Sequence, residues 1–148
     1  IAFAAWRTHA RAASPASRFP PVPSPTTPRK IDEYGDLRWG DEKARLDNVA
    51  RVFRADPASS CYLICYDGRA AREGAARRRC SRAANYLVKR RGIEARRVFT
   101  LDGGFREDLT VEVWPVPAGA LPPTASPTVD PSEVKFVRAP RRRGRGRR

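Results

Sequence analysis

Three cysteines, one histidine and three adjacent pairs of acids are the residues with which this 148-residue chain could do covalent, metal or acid–base chemistry. Cys61 and Cys65 lie four apart in an apolar run that reads as a strand, so they face one side about 13 Å apart and cannot pair with each other. Either can approach Cys80 if the helix carrying it packs over that face; buried free thiols are the expected outcome. There is no CxxC spacing, and the single histidine, His9, stands outside the segment that holds the cysteines. Neither a zinc site nor a cysteine–histidine nucleophile is therefore expected. The pairs Asp32-Glu33, Asp41-Glu42 and Glu107-Asp108 are sequence neighbours whose side chains diverge, and they read as solvated surface rather than as converging catalytic carboxylates. Asp102-Gly103-Gly104 lacks the spacing of a dinucleotide or phosphate loop and reads as a turn. These readings predict a chain that is not an enzyme and needs no cofactor.

The charge is unevenly placed. All sixteen acidic residues fall between Asp32 and Glu133, and the same region, 31–137, carries eighteen of the thirty basic ones. The net charge of +14 therefore resides mainly in the ends, with five basic residues in 1–30 and seven in 138–148. Strong basicity points to nucleic acid or another anionic partner, but here it belongs to the flanks and not to the folded part. No segment approaches the roughly twenty apolar residues that cross a bilayer. The start at Ile1 and the absence of methionine read as a processed chain or a fragment, with Ile1–Trp6 as the remnant of an apolar targeting stretch.

The elements that must position any site lie between two proline-rich stretches, 14–29 and 115–131, which suit extended linkers. The expected organisation is a basic proline-rich segment at 1–29, a domain at 30–116, a linker at 117–137 and a disordered arginine-rich tail at 138–148. Within the domain, Leu46, Val49, Ala50 and Phe53 give a helix stripe opened by Asp41 as N-cap and ended by Asp56-Pro57. Cys61–Tyr66 is an apolar run suited to a buried central strand. A second helix is predicted over 71–91 from the stripe Ala76, Cys80, Ala83, Ala84, Leu87 and Val88, with Gly92 closing it. Strands follow at Arg97–Leu101 and Leu109–Trp114, the latter with Val111 and Val113 inward, Glu112 and Trp114 outward, and Pro115 as its stop. Ile31–Trp39 is the candidate first strand. Leu46, Phe53, Ile64, Leu87, Phe99, Val111 and Trp114 are the large residues expected to build the core. The order β-α-β-α-β-β predicts an α/β (α+β) two-layer sandwich, helices packed on one mixed sheet.

This order, with one set of motifs, resembles the OmpA-like domain, the peptidoglycan-associated module of bacterial envelope proteins. The stretch Asn85-Tyr86-Leu87-Val88-Lys89-Arg90-Arg91-Gly92-Ile93, followed by Arg97-Val98, is similar to the family's helix end, its glycine-isoleucine and the arginine that opens the third strand. Leu46-Asp47-Asn48-Val49-Ala50, Asp56-Pro57 and Tyr62–Tyr66 resemble its first helix, proline exit and second strand, and Val111-Glu112-Val113 its closing strand. The similarity spans about 31–116. It implies a non-enzymatic module of the cell envelope, periplasmic or associated with the outer membrane, whose partner is peptidoglycan or another envelope component.

The resemblance also implies site residues. Arg79-Cys80 falls where the family has the arginine-alanine pair whose arginine holds the free carboxylate of the wall peptide. At the exit of the second strand Asp67 stands about two positions before the family's aspartate, and Arg69 stands near that position. A zwitterionic amino-acid head needs a carboxylate for its ammonium and a guanidinium fork for its carboxylate, which Asp67 and Arg79 supply by type. The alternative partner is nucleic acid or another polyanion, met by the arginine-rich helix and by Arg141, Arg142, Arg143, Arg145, Arg147 and Arg148 of the tail. A scaffold of the same fold without wall binding is the third reading.

Overall fold

Six main elements follow one another as the periodicities predict: β1 (Asp32–Tyr34), α1 (Trp39–Ala55), β2 (Ser60–Gly68), α2 (Ala75–Lys89), β3 (Val98–Arg106) and β4 (Thr110–Val116). They come from a computed structural model in which residues 27–137 are described. The arginine tail, with Arg141, Arg142, Arg143, Arg145, Arg147 and Arg148, and most of the N-terminal proline stretch lie outside the described residues. The strands form one sheet in the order β1-β4-β2-β3, with β2 parallel to β3 and β4 antiparallel to both β1 and β2. Both helices pack on one face of it, giving the expected two-layer α+β arrangement.

Between sheet and helices lie Leu46, Val49, Ala50 and Phe53 of α1, Cys61, Leu63 and Cys65 of β2, Ala76, Cys80, Ala83 and Leu87 of α2, and Val111 and Val113 of β4. Full burial of each large aliphatic or aromatic member contributes about 2 kcal/mol. Gly92, at φ 71°, turns the chain out of α2, and the N–H groups of Gly92 and Ile93 donate to the carbonyls of Val88 and Leu87. Arg97 then closes the far end of α1, its guanidinium donating to the carbonyls of Phe53, Asp56 and Ser59 at 2.8–2.9 Å.

Several boundaries differ from expectation. The first strand is only three residues long, and Trp39 begins α1 instead of ending that strand. Asp41 is not the N-cap; it sits in the first helical turn, where its charge favours the helix dipole, and Arg38 precedes the helix. Asp67-Gly68 and Asp102-Gly103-Gly104 are not turns but strand residues of β2 and β3. The pairs Cys65↔Asp102 and Asp67↔Phe105 set two steps on β2 against three on β3, a bulge that Gly104 accommodates at φ 78°. Gly103 is required for a second reason: a Cβ there would stand 2.5 Å from the Tyr66 ring. Pro115 lies inside β4 and does not stop it, because β1 ends at Asp32, opposite Val113, and leaves Pro115 a free side.

The largest difference concerns the sheet face away from the helices. Glu112 was expected outward and is 2 % exposed; Phe99 was expected in the core and is 40 % exposed. The stretch 117–137, expected as a linker, returns over this second face. Val129 and Thr128 donate to the Phe105 carbonyl, Ser126 N–H donates to the Tyr66 hydroxyl, and Lys135 N–H donates to the Arg69 carbonyl. Beneath it the Glu112 carboxylate accepts from Tyr66, Trp114, Lys30 and Arg106, while Arg106 lies 3.7 Å over the Tyr66 ring. Burial works to raise the Glu112 carboxyl, but the hydrogen bonds from Lys30, Arg106 and Trp114 outweigh it and hold the group below its ordinary value.

Candidate functional site

Asp67, Arg69 and Arg79 all stand around the carboxyl end of β2 and the first turns of α2, yet each is already engaged. Asp67 accepts a 2.7 Å hydrogen bond from the N–H of Ala76 and so caps α2 from a neighbouring strand, a role the left-handed Gly74 before the helix cannot fill. Burial raises the Asp67 carboxyl despite that bond. Arg69 pairs with Glu107 at 2.7 Å and Glu133 at 3.0 Å, joining the β3–β4 loop to the C-terminal segment. The Arg79 side chain is only 10 % exposed; it donates to Glu42 and to the Leu37 carbonyl at 3.1 Å each and pairs with Asp36. The expected Asp67–Arg79 pair is therefore two separate groups, one holding a helix end and one holding a buried acid.

That buried acid, Glu42, was missed by reading Asp41-Glu42 as solvated surface. It is fully buried, bonded to Arg79, Arg82 and the Tyr34 hydroxyl. The signal was available: stepping back four residues from Leu46 along the stripe that includes Val49 and Phe53 lands on Glu42, the core side of α1. Burial, with the Glu42 charge beside it, pushes the Tyr34 hydroxyl well up, so it serves only as a donor.

Above Arg79 the structure has an open cleft of about 980 Å³. Its walls come from the β1–α1 connection, the end of β2, the first turns of α2 and the β3–β4 loop. The loops bring Asp36, Glu107 and Asp108, and α2 brings Arg78, Arg79 and Arg82. Such a mixture of guanidinium and carboxylate suits a small zwitterion better than an ion of one sign.

Two half-cystines frame this region. Cys65, two residues before Asp67, is bonded to Cys80, immediately after Arg79, with Cα atoms 6.1 Å apart. The expectation of buried free thiols is corrected for these two: α2 packs over the strand face that carries Cys65, within disulfide reach. The bond fixes the strand that ends at the cleft to the helix that floors it. Cys61 does remain a buried thiol, and burial pushes it up to about 12, which keeps it from acting as a nucleophile near neutral pH. Among the described residues no group of histidine, cysteine and acid side chains could hold a metal ion, and no helix is long and apolar enough to cross a membrane.

No known protein-family model matches this chain, and no curated protein is significantly similar to it. The chemistry of the cleft therefore rests on its own geometry.

Proposed function

We propose that the chain is a non-enzymatic module of the bacterial cell envelope that holds the zwitterionic end of a peptidoglycan stem peptide in the cleft above Arg79. The observation that carries this reading is Asp36. It is 77 % exposed and occupies one nitrogen of Arg79, whose other nitrogen is held by Glu42 and Leu37. An exposed acid on a preorganised guanidinium is a placeholder that an incoming carboxylate can replace, and the displaced Asp36 is then free to take the ligand's ammonium. The Cys65–Cys80 bond supports an oxidising compartment outside the cytosol. The OmpA-like order of motifs supports the same setting.

Co-sedimentation with purified peptidoglycan at low salt tests it. Wild-type protein should sediment with the wall, and Arg79→Lys should weaken binding because an ammonium lacks the planar fork. Because Arg79 also serves Glu42, Arg78→Ala and Asp36→Asn are the safer variants: both groups are exposed, and each should reduce binding with the melting temperature unchanged. Wild-type protein that stays in the supernatant, or Asp36→Asn and Arg78→Ala proteins that sediment as well as wild type, would remove the wall-peptide site and leave the scaffold and polyanion readings.

A further inference from the structure

The outward face of α2 is a different kind of surface. From Gly74 to Ile93 the chain has no acidic residue and seven basic ones. The buried stripe Ala76, Cys80, Ala83 and Leu87 sets the inner side of α2, and Arg77, Arg78, Arg82 and Lys89 are exposed on the other. Two adjoining depressions, about 860 and 350 Å³, meet at Trp39, Tyr86 and Arg90, and no carboxylate lines either of them. Arg77, Lys89, Arg90 and the neighbouring Lys43 of α1 have no ion-pair partner among the described residues.

We infer that this face docks on an anionic phospholipid surface. Arg77, Arg78, Arg82, Lys89 and Arg90 line one depression along a helix about 20 Å long, so a surface of phosphates meets several of them together. A ring-bearing polymer finds less to hold. The Trp39 ring is covered by the Arg82 guanidinium at 4.5 Å and met edge-on by Tyr86 at 5.4 Å, and it packs against the core besides. Stacking of a base or sugar, the usual partner of such cations in single-strand binding, would compete here with the Arg82 guanidinium over Trp39 and the Arg91 guanidinium over Tyr86. Five or so clustered cations are the number expected of a peripheral, salt-sensitive attachment to acidic lipid. This surface differs in ligand from the cleft, and Arg77, Lys89 and Arg90 do not line the cleft, so the two can be tested apart.

The experiment is sedimentation of the full chain with vesicles of phosphatidylcholine containing phosphatidylglycerol, compared with phosphatidylcholine alone. Binding is expected only to the acidic vesicles and should vanish at high salt. The triple variant Arg77→Gln/Lys89→Gln/Arg90→Gln, with an unchanged melting temperature, should lower partitioning by about a hundredfold, taking about fivefold per cation. A variant with the six tail arginines, Arg141 to Arg148, changed to glutamine should retain a clear preference for acidic vesicles. The inference is overturned if the triple variant binds like wild type, if the tail variant loses all binding, or if wild type ignores acidic vesicles, whether or not it binds a single-stranded oligonucleotide. Loss of peptidoglycan binding alone leaves this result unaffected.

Discussion

Arg78 and Arg82 border both the cleft and the outward face of α2, yet the two surfaces differ in everything that surrounds those guanidiniums. On the cleft side, two loops from other parts of the chain deliver Asp36, Glu107 and Asp108, and Glu42 lies beneath. On the outward side no element supplies an acid, and a long run of the chain itself contains none. An arginine therefore has no fixed meaning in this sequence. Where carboxylates converge on it, it is tied into a mixed-charge cluster; where they do not, it contributes to a field of one sign.

The sharpest break in that comparison should come from Glu42. Replacing it with alanine removes the shared support of Arg79 and Arg82 and leaves the nearly buried Arg79 short of a partner. A loss of about 3–5 kcal/mol in urea denaturation is expected, on the scale of a broken buried charge pair. A loss below about 1 kcal/mol would show that the loops, not Glu42, hold these guanidiniums.

Removing the disulfide separates the two surfaces. The Cys65→Ala/Cys80→Ala protein should be less stable by about 3 kcal/mol, the value for a closed loop of this length. Because the bond joins β2 to the inner side of α2, peptidoglycan binding should fall more than vesicle binding. Equal losses in the two sedimentation assays would contradict that assignment.

A smaller effect is expected at Asp67, which serves the start of α2 alone. Asp67→Ala should cost about 1 kcal/mol, as for a lost helix cap. Hydrogen exchange should report it as faster exchange at Ala76 and its neighbours, with little change at Lys89.

The smallest expected effects are in the acid limb of stability. The Glu112 carboxyl is held below its ordinary value of 4.5, so its contribution is complete above that pH and disappears as pH falls through the lower folded value. Asp47, lowered by hydrogen bonds from Tyr86 and Arg91, acts in the same direction below 3.8. Asp67 has the opposite sign: its raised value makes stability fall as pH rises from 3.8 through the folded value. Glu112→Gln should therefore flatten acid unfolding followed by fluorescence, and Asp67→Asn should not.

Much of the architecture was legible because the helix-facing side of the sheet obeys simple periodicities. Leu46, Val49 and Phe53 at helical spacing, Cys61, Leu63 and Cys65 of the apolar run and the alternation of Val111 and Val113 each point toward the helix–sheet core in the structure. The site was legible only in location. Asp67, Arg69 and Arg79 do gather at one end of the sheet, but their partners Ala76, Glu107, Glu133, Asp36 and Glu42 come from distances of roughly nine to sixty residues. Glycine misled the reading of β3, since Gly103 and Gly104 mark a close approach and a bulge as well as they mark a turn.

By itself the sequence determined the order of the main helices and strands and that α2 carries an acid-free run of cations. These follow from local spacing, turn residues and composition, each written within a few residues of where it acts. Tertiary structure alone decided that Cys65 pairs with Cys80, that 117–137 covers Tyr66 and Glu112, and that the buried Glu42 anchors Arg79 beneath the cleft. Those outcomes depend on which surfaces meet, and burial creates the need for a partner only after two distant elements have come together.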